Sequence, residues 1–244
     1  MSTSLPPLDA GTAISLTDVW VQYKLRHAHH YNLKRAVSNR VTRRQEDPEV
    51  ITALQGVSLE VPKGARLGLT GANGSGKSTM LAVMAQALRP SRGVCRTNGR
   101  VLALLGGPDE GLDPEQTGRE NAISLGIRLG ETLSGVEEVI DDIQEFSGLG
   151  RRFDHPVYTY SSGMHVRLRF SAITSIRADV LLVDEGLGAA DAEFNSRANE
   201  RLTRFFQTSG TLVLSSHDND LVSRHCTESI QLSGGVRVPS GGVA

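Results

Sequence analysis

The chain has 244 residues, 39% of them hydrophobic and 22% charged, enough to bury one sizeable core and too apolar to be disordered throughout. Its 26 basic and 27 acidic residues leave a formal charge of -1, which gives no global electrostatic case for nucleic acid or an anionic membrane. No apolar run reaches bilayer length, the N-terminus lacks the basic and apolar regions of a secretory leader, and Cys95 and Cys226 lie far apart, so a cytoplasmic chain without a disulfide framework or redox centre is expected.

Residues 1–13 are rich in Ser, Thr, Pro and Gly and read as a flexible tail, with a single domain expected over residues 14–240. Ile14 to Val21 alternates as a half-covered strand does, and Tyr23 follows at its end. From Lys24 the composition turns basic, with Arg26, Lys34, Arg35, Arg40, Arg43 and Arg44 and no acid before Glu46. Leu33, Val37 and Val41 recur every four residues, so this insertion, residues 24–50, predicts a helix over Tyr31 to Arg44 with a narrow apolar stripe. Such a helix suits a membrane interface, a partner's groove or plain solvent. His27, His29 and His30 have no cysteine or carboxylate beside them to complete a metal site.

Pro48 ends that segment, Ile51 to Val61 returns to strand, and Pro62-Lys63-Gly64 turns into a short buried strand over Ala65 to Thr70. Gly71-Ala72-Asn73-Gly74-Ser75-Gly76-Lys77-Ser78-Thr79 then fits G-x-x-x-x-G-K-[ST], followed by an apolar helix over Met80 to Leu88. Strand, glycine loop and helix together make a phosphate-binding loop: glycines let successive N–H groups converge on a phosphate, and the helix N-terminus adds positive potential. Lys77 is placed to reach the β- and γ-phosphates of a nucleotide and Ser78 to ligate Mg²⁺, with Gly71, Asn73, Gly74, Ser75, Gly76 and Thr79 completing the cradle.

After a turn at Pro90 to Gly93, Gly99 to Leu105 predicts another apolar strand, and residues 107–177 read as a helical subdomain carrying the acids Glu137, Glu138, Asp141 and Asp142. Val180 to Val183 is an apolar strand buried on both faces and ending in Asp184-Glu185; Thr211 to His217 repeats the design. Polar groups at the C-terminal edge of a parallel sheet lie where ligands sit. Asp184 is therefore a metal ligand candidate, Glu185 a general base for an attacking water, and His217 a partner for that water or the γ-phosphate. Ser229 to Leu232 and Val236 to Val238, joined by Gly234-Gly235, predict a hairpin.

Tyr160-Ser161-Ser162-Gly163-Met164, Gly188-Ala189-Ala190-Asp191 and Ser216-His217-Asp218 resemble the signature loop, D-loop and switch histidine of ATP-binding cassette (ABC) ATPases, in that family's order. Tyr-Ser-Ser-Gly-Met, together with Gln116-Thr117-Gly118-Arg119-Glu120-Asn121 and the basic insertion, is similar to the subunits that export O-antigen, capsule and teichoic acid. The resemblance implies an α/β P-loop NTPase fold of the ABC type, with a RecA-like parallel-sheet core, an antiparallel β portion and a helical subdomain. It implies ATP and Mg²⁺ as cofactors, adenine stacked on Tyr23, and a head-to-tail homodimer in which Ser161, Gly163 and Asp191 serve the partner's nucleotide. It implies too a separate membrane permease and a peripheral position on the inner face of the cytoplasmic membrane; nucleic acid is not an expected partner. The family's glutamine after the strand at Leu105 is missing: Gly106-Gly107-Pro108-Asp109-Glu110 stands there, and Asp109 or Glu110 either replaces it or is a solvated loop acid. Rival readings are an exporter of another lipid or a drug, a soluble ABC ATPase acting on nucleic acid, and a P-loop kinase, against which the signature loop argues.

Overall fold

The computed structural model describes residues 8–25, 49–107, 110–184, 191–207, 210–216 and 219–238. Two sheets organise it. Strands β1 (Thr12–Leu25), β2 (Glu49–Pro62) and β4 (Arg92–Thr97) form an antiparallel sheet in the order β2-β1-β4. Strands β3 (Arg66–Thr70), β5 (Val101–Leu104), β6 (Val180–Asp184), β7 (Thr211–Ser215), β8 (Glu228–Ser233) and β9 (Val236–Val238) form the second, in the order β5-β6-β7-β3-β8-β9. This sheet is parallel except for the β8–β9 hairpin, which pairs Gln231 with Val238 as the glycine turn predicts.

The fold begins slightly earlier than its composition implies. Thr12 pairs with Pro62 and Ala13 is buried, so the last two residues of the expected tail belong to β1. The ribbon of β1 and β2 runs on through Leu25 and Glu49, taking in both ends of the basic insertion; residues 26–48, with the expected helix and the histidines, lie outside the described residues. Strand β4 was not expected at all. None of its residues is fully buried, so it leaves no hydrophobic signature, and it pairs with β1 because Gly93, at a φ of 83°, lets the backbone pass against Asp18.

Helix α1 (Lys77–Met84) packs Met80, Leu81, Val83 and Met84 into the core between the sheets. It stops short of the expected Leu88 because Gln86 turns left-handed, at a φ of 58°. The helical subdomain holds α2 (Gly118–Arg128), α3 (Leu133–Ser147) and α4 (Ser162–Ser175), with single 3₁₀ turns at Gly150–Asp154 and Val157–Thr159. Thr117 and Glu120 form a reciprocal capping box on α2, Thr132 caps α3, and Gly148 ends α3 at a φ of 64°. Helix α5 (Ala192–Gln207) joins this subdomain to the parallel sheet through Phe146, Phe170 and Phe194, whose ring centroids lie 5.6–6.0 Å apart. Arg201 lies 3.6 Å above Phe146, and its Nη2 donates to both oxygens of Asp142 at 2.6 and 2.8 Å. Helix α6 (Asn219–His225) leads into β8. No described helix is long and apolar enough to cross a membrane.

Candidate functional site

The phosphate loop leaves β3, the strand held between β7 and β8. Gly71 and Gly76 sit at φ values of 137° and 106°, and a Cβ on them would fall 2.3 Å from the Leu232 carbonyl and 2.7 Å from that of Ala53. Only glycine fits at either place. At Gly74, φ 76°, the outer side is open, with nothing within 4 Å. The β8–β9 turn fastens the loop from behind, Gly235 donating to the Ser75 carbonyl at 3.0 Å. Lys77, the first residue of α1 and buried, folds its ammonium over the loop and donates to the Gly71 and Ala72 carbonyls at 2.8 and 3.2 Å. The Ser75 hydroxyl is buried without a partner among the described residues, and Asn73 and Ser78 are exposed. A lysine resting on carbonyls, an orphaned hydroxyl and an open glycine arch suit an anionic oxygen cluster such as a polyphosphate.

Asp184 ends β6 and pairs in register with Ser215, which ends β7 beside β3. The fully buried Ser215 hydroxyl donates to the partly exposed Asp184 carboxylate, and Ser216 N–H reaches the Leu69 carbonyl at 3.3 Å. The three strand ends are thereby tied beside the loop. The exposed Ser78 hydroxyl and the Asp184 carboxylate are hard oxygen donors of the kind Mg²⁺ takes. Glu185, His217 and residues 186–190 lie outside the described residues. Tyr23 pairs with Ile51 far along the ribbon and is 42% exposed.

Ser161 caps α4, its hydroxyl accepting from Met164 N–H at 3.4 Å. Tyr160 anchors the turn before it: its phenol donates to the Arg152 carbonyl at 2.6 Å, and burial pushes its pKa up to about 12. Ser161 and Gly163 line a cavity of about 550 Å³ with Arg151, Arg152, Arg167 and Asp191, and no residue of the phosphate loop belongs to it. Asp191 caps α5 by accepting from Phe194 N–H at 2.9 Å and pairs with Arg167, so within one chain it joins α4 to α5. A larger cavity, about 620 Å³, lies around Asp179 at the opposite end of β6 from Asp184 and holds none of the expected groups.

The residues sequence reasoning missed are those that brace the site. Ser215 lies inside the expected strand Thr211 to His217 with no role assigned, and none is assigned to Arg167 or Arg169, yet Arg169 is buried and donates to the Leu105 and Gly107 carbonyls after β5. The one available signal is that Arg169 stands among Leu168, Phe170, Ala172 and Ile173, where a charge needs a reason. Of the two acids that stand where a glutamine was expected, Asp109 lies outside the described residues, and Glu110 closes its own turn by accepting from Gly107 N–H at 3.2 Å.

The ABC transporter family profile matches residues 54–188, more than half of the chain. The chain belongs to the ABC transporter family. Among curated relatives, it is 34% identical over 232 residues to the O-antigen export system ATP-binding protein RfbE of Yersinia enterocolitica, covering 92% of this chain and 96% of that protein. It is 40% identical over 193 residues to the O-antigen export system ATP-binding protein RfbB of Myxococcus xanthus, and 38% identical over 190 residues to the teichoic acids export ATP-binding protein TagH of Bacillus cereus. The cassette covers 79% and 78% of itself in these two matches but only 44% and 34% of the relatives' own lengths. Its fold matches that of a dimeric ATP-binding cassette in a post-hydrolysis state bound to ADP and phosphate, at a TM-score of 0.74 and 19% identity over 94% of this chain and 99% of that one. It also matches a dimeric bacterial ABC transporter cassette, at a TM-score of 0.71 and 21% identity over 91% and 95%. The cassette thus has the P-loop ABC architecture its sequence implies.

Proposed function

We propose that this chain is the ATP-binding and hydrolysing subunit of an exporter of polysaccharide or lipid-linked glycan, acting as a head-to-tail homodimer on a separate permease at the inner face of the cytoplasmic membrane. The observation that supports the dimer is the division of the site: no residue of the phosphate loop lines the cavity at Ser161 and Gly163 of the same chain, and a second copy placed head to tail would bring the two together. The glycan substrate is carried over from relatives named for O-antigen and teichoic acid export, one of them matched over nearly its whole length.

In this reading Lys77 releases the Gly71 and Ala72 carbonyls and turns to the β- and γ-phosphates of ATP, while the loop N–H groups and the Ser75 hydroxyl hold the phosphate oxygens. Ser78 and Asp184 would hold Mg²⁺, which when bound neutralises charge developing on the phosphate oxygens. Ser215 keeps the Asp184 carboxylate aimed by donating to it. Glu185 takes a proton from the attacking water, and His217 orients that water or the γ-phosphate. Tyr23, exposed on β1, offers its ring to adenine. Ser161 and the N-terminus of α4 on the opposite subunit stabilise the γ-phosphate charge, with Gly163 leaving room for it and Asp191 at the rim of the same cavity. Binding ATP between the subunits favours the closed dimer and hydrolysis reverses the preference, a shift the permease would read.

Expression in membranes with and without the candidate permease, with glycan measured outside the cell, tests the assignment. Export is expected to require the permease and to stop in Glu185→Gln. Hydrolysis that no permease alters, but that nucleic acid stimulates, would contradict it.

A further inference from the structure

Arg169 is a buried cation that the mechanism above does not use. It lies on the second turn of α4, only 7% exposed, between Leu168 and Phe170. A guanidinium in such a place is tolerated only with acceptors close to it. Two are main-chain carbonyls of the segment leaving β5: Nη2 donates to Leu105 O at 2.6 Å, and Nη1 donates to Gly107 O. The planar fork spans carbonyls two residues apart, which the point charge of an ammonium does not.

The same segment is held by a second side chain, Glu110. Gly106 has a φ of 77°, and the Glu110 carboxylate occupies the space a Cβ would take there. That carboxylate accepts from Gly107 N–H, and Glu110 N–H returns a bond to the Gly107 carbonyl, each at 3.2 Å. Leu105 directly follows Leu104, whose partner Val183 directly precedes Asp184. One helix therefore carries Ser161 at its head and, eight residues on, a two-pronged grip on the backbone beside the Asp184 strand end.

We propose that Arg169 is a positioning residue for ATP hydrolysis: it ties the loop after β5 to the helix that begins at Ser161, so that the loop and the signature turn move as one body. The inference rests on the ATPase reading above. The loop borders the nucleotide site of its own subunit, whereas Ser161 faces that of the other, so a rigid tie between them links the two sites of the dimer. The tie is made to main-chain atoms, and it therefore does not depend on which side chain the loop presents.

Two variants of the full chain test this. Arg169→Met keeps an unbranched apolar stem, shorter than arginine, and removes every donor; Arg169→Lys keeps the charge without the fork. In Arg169→Met, amide hydrogen exchange in peptides covering residues 103–107 is expected to accelerate about tenfold, with peptides over residues 71–79 unchanged. Turnover of Mg-ATP is expected to fall about tenfold in kcat while KM and the affinity for a fluorescent ATP analogue stay within about twofold. Arg169→Lys should recover part of both losses. Wild-type exchange and kcat in Arg169→Met would overturn the proposal. So would equal opening of residues 71–79, or a fall in analogue affinity in step with Tm, because either would make Arg169 a support of the core alone. A wild-type chain that binds the analogue but hydrolyses no ATP would refute the ATPase reading itself, which keeps that failure distinct from a failure of the tie.

Discussion

Burial decides the chemistry of single residues in this chain. Cys95 and Cys226 are half-buried, and desolvation pushes their thiols up to about 11 and about 12. At pH 8 a pKa of about 11 leaves roughly a hundredfold less thiolate than an ordinary cysteine. Iodoacetamide should therefore label both positions slowly in the native chain and at the ordinary rate in urea, as followed by mass spectrometry; fast native labelling of either would contradict the burial described. The same desolvation makes Ser215 and Arg169 informative. A buried hydroxyl and a buried guanidinium each reach the polar edge of the parallel sheet, and both hold other groups still rather than touch a nucleotide in this account.

At the scale of elements, the segment Gln116 to Asn121 shows what a motif can be for. Thr117 and Glu120 cap α2, Arg119 pairs with Asp154, and Asn121 is 1% exposed. The Asn121 amide donates to the carbonyls of Asp113, Gln116 and Thr117 and accepts from Asp113 N–H, folding the loop ahead of α2 onto the helix. Asn121→Ala strands several of these groups and should lower unfolding stability by about 2–4 kcal/mol. Thr117→Ala, which loses only the cap, should cost about 1 kcal/mol. Urea melts of both variants measure the difference; equal losses would mean that the cap, not the buried amide, holds the subdomain entry. The elements with strong periodicity or wholly apolar runs, β3, β6, β7 and the β8–β9 hairpin, were legible in the sequence. So was the glycine loop, because its geometry needs those residue types at that spacing. Strand β4 was not, since it buries nothing fully, and α1 ends early for a left-handed Gln86 that no propensity signals. Arg169 was hidden for a different reason: its acceptors are main-chain atoms some sixty residues away, and no side-chain pattern records them.

For the whole molecule, the proposed head-to-tail dimer makes one chain the holder of halves of two different sites. In that proposal the loop at Gly71 to Thr79 and the strand ends at Asp184 and Ser215 supply one half, and the cavity at Ser161 and Gly163 supplies the other. Sequence order alone places these motifs along the chain; the fold adds that α4 belongs to the helical subdomain, that the loop is fastened by the β8–β9 turn, and that no loop residue lines the cavity at Ser161. The association state of Glu185→Gln with and without Mg-ATP, by sedimentation velocity, tests this most directly. With hydrolysis blocked, the account predicts a monomer without nucleotide, a dimer with it, and no dimer when Lys77→Ala is added. A chain that stays monomeric while saturated with Mg-ATP would contradict it.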